Sequence, residues 1–283
     1  MERKFISTFC NKIIWITGAS SGIGEALAGE LSKLDAKLIL SARNMEELER
    51  VRNDCYKPQS IELIKLDMEL PDSIPAIALQ VIQQSGPIDF LFNVAGMAAR
   101  ETALKTELHV DQKIMNINYF GPITLTKAVL PSMIERENGH IITVTSVAGK
   151  YGLPMLSSYA ASKHALHGFF DSILSEICNK NIHITLIVPG AVNTPITRHA
   201  LTGKGENFGK MLQVQKDGIS AECCAQRILK AVVNCRQEKI IGGIEENATL
   251  FVKRFFPGYF SKFISNHPLK KWRKVKNSLR LKW

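Results

Sequence analysis

The amino-acid sequence predicts an α/β fold, a single doubly wound domain on a seven-stranded parallel sheet with helices on both faces. Three observations carry that expectation. Short β-branched runs alternate with longer helix-like stretches along most of the 283 residues. A glycine-rich loop joins the first strand-like run to the first helical one. No internal repeat, low-complexity linker or apolar run of about 18 residues breaks the series.

The strand-like runs lie at 12–17, 37–41, 60–65, 88–94, 140–145, 183–188 and 239–242. Helical patterns fall between them, at 25–34, 44–53, 72–84, 121–135, 157–179 and 221–235. Ser220 is placed to cap the last of these, with Glu222 in its first turn near the positive helix end. The apolar stretch near the N-terminus is interrupted by Lys12 and runs straight into the glycine-rich loop, so it reads as the first strand rather than a secretory leader. One domain is expected over 1–250, followed by a basic, aromatic segment over 251–283.

Composition narrows the function classes. With 45% hydrophobic and 22% charged residues, the chain can bury a full core. The net charge of +10 is concentrated at one end: ten Lys or Arg and no acid lie in 253–283, which leaves 26 basic against 26 acidic residues elsewhere. A neutral body argues against nucleic-acid binding, which would put the charge on the fold itself. The six cysteines show no C-x-x-C spacing and accompany no His cluster, so neither a metal site nor a disulfide framework is expected. Reduced thiols suit a cytoplasmic protein.

The motifs supply the chemistry. T-G-A-S-S-G-I-G comprises Thr17, Gly18, Ala19, Ser20, Ser21, Gly22, Ile23 and Gly24. Glycines there let the backbone turn tightly and approach a pyrophosphate, which then rests on the helix N-terminus. This is the dinucleotide loop of a Rossmann-type fold. At the end of the second strand, an Asp or Glu would hold a ribose 2′-hydroxyl, whereas an Arg accommodates a 2′-phosphate. The sequence has Ala42 followed by Arg43, which favours NADP(H) over NAD.

Tyr159 and Lys163 lie four residues apart in Y-A-A-S-K and share one helix face; Ser146 closes the run I-I-T-V-T-S. A phenol near its reference pKa of about 10 is a poor acid or base at neutrality, and a neighbouring ammonium is expected to lower that value. Ser146 can hold a substrate carbonyl beside the phenol.

Taken together, the phosphate loop, N-V-A-G at 93–96, Ser146, Y-A-A-S-K and P-G-A-V-N-T at 189–194 resemble the short-chain dehydrogenase/reductase family over nearly the whole chain before the basic segment. The resemblance implies a Ser146, Tyr159, Lys163 catalytic set with Asn118 holding a water that links Lys163 to solvent; Asn116 is the competing position. It implies that Asp67 and the Met68 backbone meet the adenine, that Val192 and Thr194 bind the nicotinamide carboxamide, and that Asn93 braces the central strands. Ala95, Gly96, Pro189 and Gly190 complete the implied cofactor contacts. Val94 departs from the pattern, which often carries a second Asn there. The nearest branch in character is that of 11β-hydroxysteroid dehydrogenases and membrane-associated lipid or steroid reductases, without the N-terminal anchor of many of them. The implied activity is NADPH-dependent carbonyl reduction. NAD-dependent alcohol oxidation and a catalytically silent nucleotide sensor are the alternatives. The stretches 121–135 and 157–179 correspond to the helices that pair subunits into dimers or tetramers in the family.

Segments 97–100, 147–155 and 195–218 are expected to wall the substrate pocket. Val147, Tyr151, Leu153, Pro154 and Met155 make the second apolar, which suits a lipophilic substrate. Gly203, Gly205 and Gly209 suggest that the third is a mobile lid. Two readings of the C-terminal segment stand side by side. Its aromatic part, 251–263, packs on the pocket while the basic end is solvated, or the whole segment lies peripherally on an anionic membrane.

Overall fold

The computed structural model describes residues 2–177 and 181–266. Its first element is one the sequence reading missed. Helix α1 (Glu2–Phe9) precedes the first strand, and Phe9 is fully buried with its ring centroid 5.1 Å from that of Phe90. Eight residues are too few for a convincing periodicity, but Phe5 and Phe9 lie one turn apart and both meet the core.

The expected alternation then follows: β1 (Ile13–Thr17), α2 (Gly22–Ser32), β2 (Lys37–Ala42), α3 (Met45–Asp54), β3 (Glu62–Lys65), α4 (Ile74–Ser85) and β4 (Phe90–Asn93). Asn44 caps α3 by accepting the Glu47 N–H. A stretch without a predicted helix contains α5 (Leu108–Met115), which passes through one π-helical turn (Asn116–Phe120) into α6 (Gly121–Glu135). Then come β5 (Gly139–Val144), α7 (Ser157–Glu176) and β6 (Ile182–Pro189). Short strands β7 (Val192–Asn193) and β8 (Ile219–Ser220) flank α8 (Gln213–Lys216) and pair in parallel. Helix α9 (Ala221–Val233), capped by Ser220 as expected, leads to β9 (Glu238–Ile241). The chain continues into α10 (Ile244–Phe255) and α11 (Pro257–Asn266).

All seven expected strands form one parallel sheet in the order β3-β2-β1-β4-β5-β6-β9. Residues alternate between its two faces. On β1, Ile14 and Ile16 join the core under α2 and α9, and Trp15 joins the core under α4, α6 and α7. Burial on both faces is why these strands read as unbroken apolar runs. The strand order reverses direction between β1 and β4, and that switch point opens a crevice at the carboxyl ends of the strands.

The boundary expected after residue 250 falls inside α10. Helix α11 then folds back, so that Phe260 is buried with Tyr151 and Val188. The basic stretch 267–283 lies outside the described residues.

Candidate active site

The cleft at the carboxyl ends of β1, β2, β4, β5 and β6 has a volume of about 1250 Å³. Every expected contact residue borders it except Gly24, Asn93 and Asn118. The glycine-rich loop explains its own composition. Gly18 has φ +66°, and a Cβ there would stand 2.7 Å from the Ala95 Cα. A Cβ on Gly24 would stand 2.3 Å from the Gly18 carbonyl oxygen, so Gly24 serves the packing of α2 beneath the loop rather than a ligand contact. Ser21 occupies the N-cap of α2 without a side-chain cap bond, which leaves the helix's first N–H groups facing the cleft.

The hydroxyl of Thr17 is committed to the protein. It donates to the Phe92 carbonyl at 3.3 Å and accepts the N–H groups of Val94 and Ala95 at 3.1 and 3.2 Å. Thr17 therefore ties the first loop to the loop after β4. Asn93 sits behind the cleft, donating to Thr126 and Thr143, which suits bracing and not ligand contact.

Ser146, Tyr159 and Lys163 converge on the floor. The Ser146 hydroxyl lies beside the Tyr159 phenol and accepts the Ala148 N–H at 3.1 Å. Lys163, only 3% exposed, donates to the Val144 carbonyl at 2.9 Å, with Nζ 5.8 Å from the centre of the Tyr159 ring. Burial lowers the Lys163 ammonium to a pKa of about 8. The expected lowering of the tyrosine does not occur in the protein alone: burial pushes the phenol up, and the neighbouring Ser146 hydroxyl offsets this only in part. The phenol is thus held as a proton donor.

Asn118 stands fully buried in the π-helical turn, a backbone feature common at functional sites. Its Nδ2 donates to the Met97 carbonyl at 2.8 Å and to Ser162 Oγ at 3.0 Å, while Oδ1 accepts the Met97 N–H at 2.8 Å. Both amide hydrogens are spent on the chain, so the side chain positions Met97 rather than holding a water through them. Asn118 Oδ1 and Lys163 Nζ each approach the place a Gly96 Cβ would occupy to 3.4 Å. Gly96 makes room for both.

At the far end of the cleft, Arg43 follows Ala42 without a strand-end carboxylate, and its nearest acid is Glu69 at 3.9 Å. Asp67 and Met68 border the same end; Asp67 accepts the Glu69 N–H at 2.9 Å. At the opposite end Pro189, Gly190, Val192 and Thr194 face the glycine-rich loop, with Thr194 Cγ2 3.0 Å from where a Gly22 Cβ would be. Glycine cradle, open helix N-terminus and an Arg43 only loosely engaged by Glu69 together fit a nicotinamide dinucleotide.

Known proteins agree. The family model for short chain dehydrogenases matches residues 12–205. The chain belongs to that family. Its relatives include a "Dehydrogenase/reductase SDR family protein 7-like" of Anopheles gambiae, 40% identical over 255 residues covering 88% of this chain and 80% of the relative. "Dehydrogenase/reductase SDR family member 7B" of Mus musculus is 36% identical, covering 95% of this chain and 84% of the relative. Among solved structures, a short chain dehydrogenase/reductase from Burkholderia phymatum in complex with NAD superposes with TM-score 0.77 at 22% identity, covering 87% of this chain and 94% of that one. A serine dehydrogenase complexed with NADP+ gives 0.74 at 24%, covering 82% and 95%. These two likenesses establish the fold. Family membership makes the protein an oxidoreductase of alcohol and carbonyl groups that uses a nicotinamide cofactor.

In this short-chain dehydrogenase the rim of the cleft departs furthest from expectation. The stretch 195–218 was expected to be a mobile lid, yet much of it is strapped down. Leu201 exchanges backbone bonds with Ala98 and Arg100 at 2.9 and 2.8 Å, and Gly203 accepts the Glu107 N–H at 2.9 Å. Gly205 and Gly209 supply positive φ for a tight turn, and Gly203 permits close approach to Lys105. The sequence reading also missed Ile117, Leu156, Glu246 and Thr249, which border the cleft. Glu246 comes from α10, accepts the Gly243 N–H at 2.7 Å and overlies Gly190, where a Cβ would come within 2.6 Å of its Oε1. The one sequence cue was an acid three residues after Gly243, a helix-start pattern.

Proposed function

We propose that this dehydrogenase reduces a carbonyl on a lipophilic substrate with NADPH, and that Tyr159 gives the proton. The observation that carries the reading is the convergence of Ser146, Tyr159 and the buried Lys163 beside a dinucleotide cradle. The cofactor, when bound, supplies hydride. Ser146 holds the substrate oxygen, the raised phenol donates to the developing alkoxide, and the Lys163 ammonium favours the phenolate left behind. Asn118 keeps Met97 and the loop after β4 in register with that floor. Arg43 supports preference for a 2′-phosphate. Tyr151, Leu153 and Leu156 favour an apolar substrate body.

The decisive experiment follows NADPH oxidation over a panel of lipophilic ketones and aldehydes, for wild type and Tyr159→Phe. The variant should lose at least about a hundredfold in kcat with NADPH binding intact. Retention of more than about a tenth of the wild-type rate would overturn the assignment.

A peripheral membrane role is part of this reading. Phe251, Phe255, Phe256 and Tyr259 lie exposed on α10 and α11, and the rings of Phe251 and Phe255 are 4.7 Å apart. Lys253, Arg254, Lys262 and the basic stretch 267–283 accompany them. The arrangement suits an anionic lipid surface. Subunit pairing through α6 and α7, into dimers or tetramers, is proposed by analogy with the family.

A further inference from the structure

We infer that Arg100 is an anion-recognition residue at the substrate end of the cleft, so that the carbonyl compound this protein reduces carries a carboxylate or phosphate group. The inference rests on the reductase reading and adds a substrate class to it.

Position comes first. The Arg100 N–H donates to the Leu201 carbonyl at 2.8 Å, and the next residue, Glu101, donates to the Met155 carbonyl at 3.1 Å. Arg100 is therefore clamped between the two loops that wall the substrate end, away from the end occupied by Arg43 and Asp67. Its side chain is half-buried and borders the cleft.

Its electrostatic situation is unusual for this chain. Among the described residues, the Arg100 guanidinium has no carboxylate partner and makes no hydrogen bond. Burial alone bears on it, pulling its pKa below the usual arginine value. Arg136, half-buried to a similar degree, shows the contrast: it pairs with Asp89 at 3.1 Å and donates to the Ile88 carbonyl at 2.7 Å.

The acids of the cleft are engaged elsewhere. Glu25 and Glu47 bind Arg50, Asp67 accepts the Glu69 N–H, and Glu246 accepts the Gly243 N–H. Glu101 turns to the Thr102 N–H at 2.7 Å. Arg198 and His199, exposed along the same wall, add basic groups at the mouth.

A guanidinium taken out of water without a partner is costly, and a planar anion restores its hydrogen bonds in pairs. The walls beside Arg100 include Leu153, Leu156, Ile196 and Leu212. Together they match an amphiphile: an apolar chain bearing the carbonyl, with an anionic end.

The test uses full-length protein with NADPH and two matched families of probes. One is a set of keto-fatty acids and their methyl esters, with short, medium and long methylene spacers. The other is the corresponding ketoalkyl phosphates and their parent alcohols. Wild type should prefer an anion to its neutral partner by about tenfold or more in kcat/KM, the worth of one charge-assisted contact. Arg100→Gln should collapse that ratio mainly through KM, and Arg100→Lys should keep part of it. The family with the larger ratio identifies carboxylate or phosphate as the group. Esters and alcohols reduced as well as the anions, or a preference that survives Arg100→Gln, would refute the site. Binding is read in parallel by displacement of saturated fatty acid and alkyl phosphate probes from the NADPH-loaded protein. Anion binding that depends on Arg100, in a protein that reduces none of the ketones, would uphold the site and overturn the reductase reading. No Arg100-dependent binding together with ketone reduction would do the reverse.

Discussion

At the floor of the cleft and just behind it, Lys163, Thr17 and Asn118 are buried and their polar groups are bonded within the chain. At the rim, Arg100, Arg198 and His199 border the same cavity, and no carboxylate is spent on them among the described residues. The floor is preorganised, because a donor displaced there would stay unsatisfied away from water. The rim leaves charge for a ligand to complete. One cavity thus holds a part that is finished by the fold and a part that is finished by what binds.

The largest expected effect is an acid transition of two buried histidines, His167 beneath the floor and His140 at the opposite, amino-terminal end of β5. Burial, with a smaller contribution from His183, lowers His140 to a pKa of about 3, and burial lowers His167 to about 4. Both sit well below the unfolded value of about 6.5, so the folded state favours neutral rings. Their contribution is fully present above about pH 6.5 and is lost as pH falls towards the folded values. The melting temperature should fall over that window, as both rings charge on unfolding. A flat profile between pH 7 and 4, or one that His140→Gln leaves unchanged, would contradict the assignment.

Asn118→Ala should come next. It strips partners from both backbone groups of Met97 and from Ser162, at about 1–3 kcal/mol per buried group left unpaired. Denaturant unfolding should show the loss, and turnover should drop with it. A variant as stable as wild type would mean that the floor is not held in the way described.

Arg43→Ala probes the far end, where the charge is only loosely engaged by Glu69. NADPH should weaken by about tenfold or more while NADH changes little, since one charge-assisted contact is removed. Fluorescence titration of both cofactors measures this, and equal weakening would remove the basis for NADP preference.

The smallest stability effect is expected on the outer face of α10 and α11. Phe255→Ser with Tyr259→Ser should change stability by no more than about 0.5 kcal/mol per site, because both rings are exposed. Co-sedimentation with phosphatidylserine vesicles should nevertheless fall. Unchanged partitioning would leave the aromatic face without its proposed lipid contact.

Much of the molecule was legible from the chain alone. Strands buried on both faces leave continuous β-branched runs, and the glycine pattern announces a turn that no Cβ could occupy, as Gly18 and Gly24 show. These are local rules, so all seven strands and the neighbourhood of Tyr159, Lys163 and Ser146 could be placed in advance. The tertiary structure decided what depends on distant partners. Asn118 was legible as a site residue, but only the fold shows its side chain spent on Met97, because the π-helical turn has no sequence signature. Residues 195–218 look like a lid by their glycines, and only pairing with 98–107 shows them strapped. Glu246 entered the cleft because α10 crosses β6's end, and Arg100 became notable because every acid that could have met it turned elsewhere. Periodicity reports which face of an element is buried; whether a buried charge finds a partner is settled by chain segments far away in sequence.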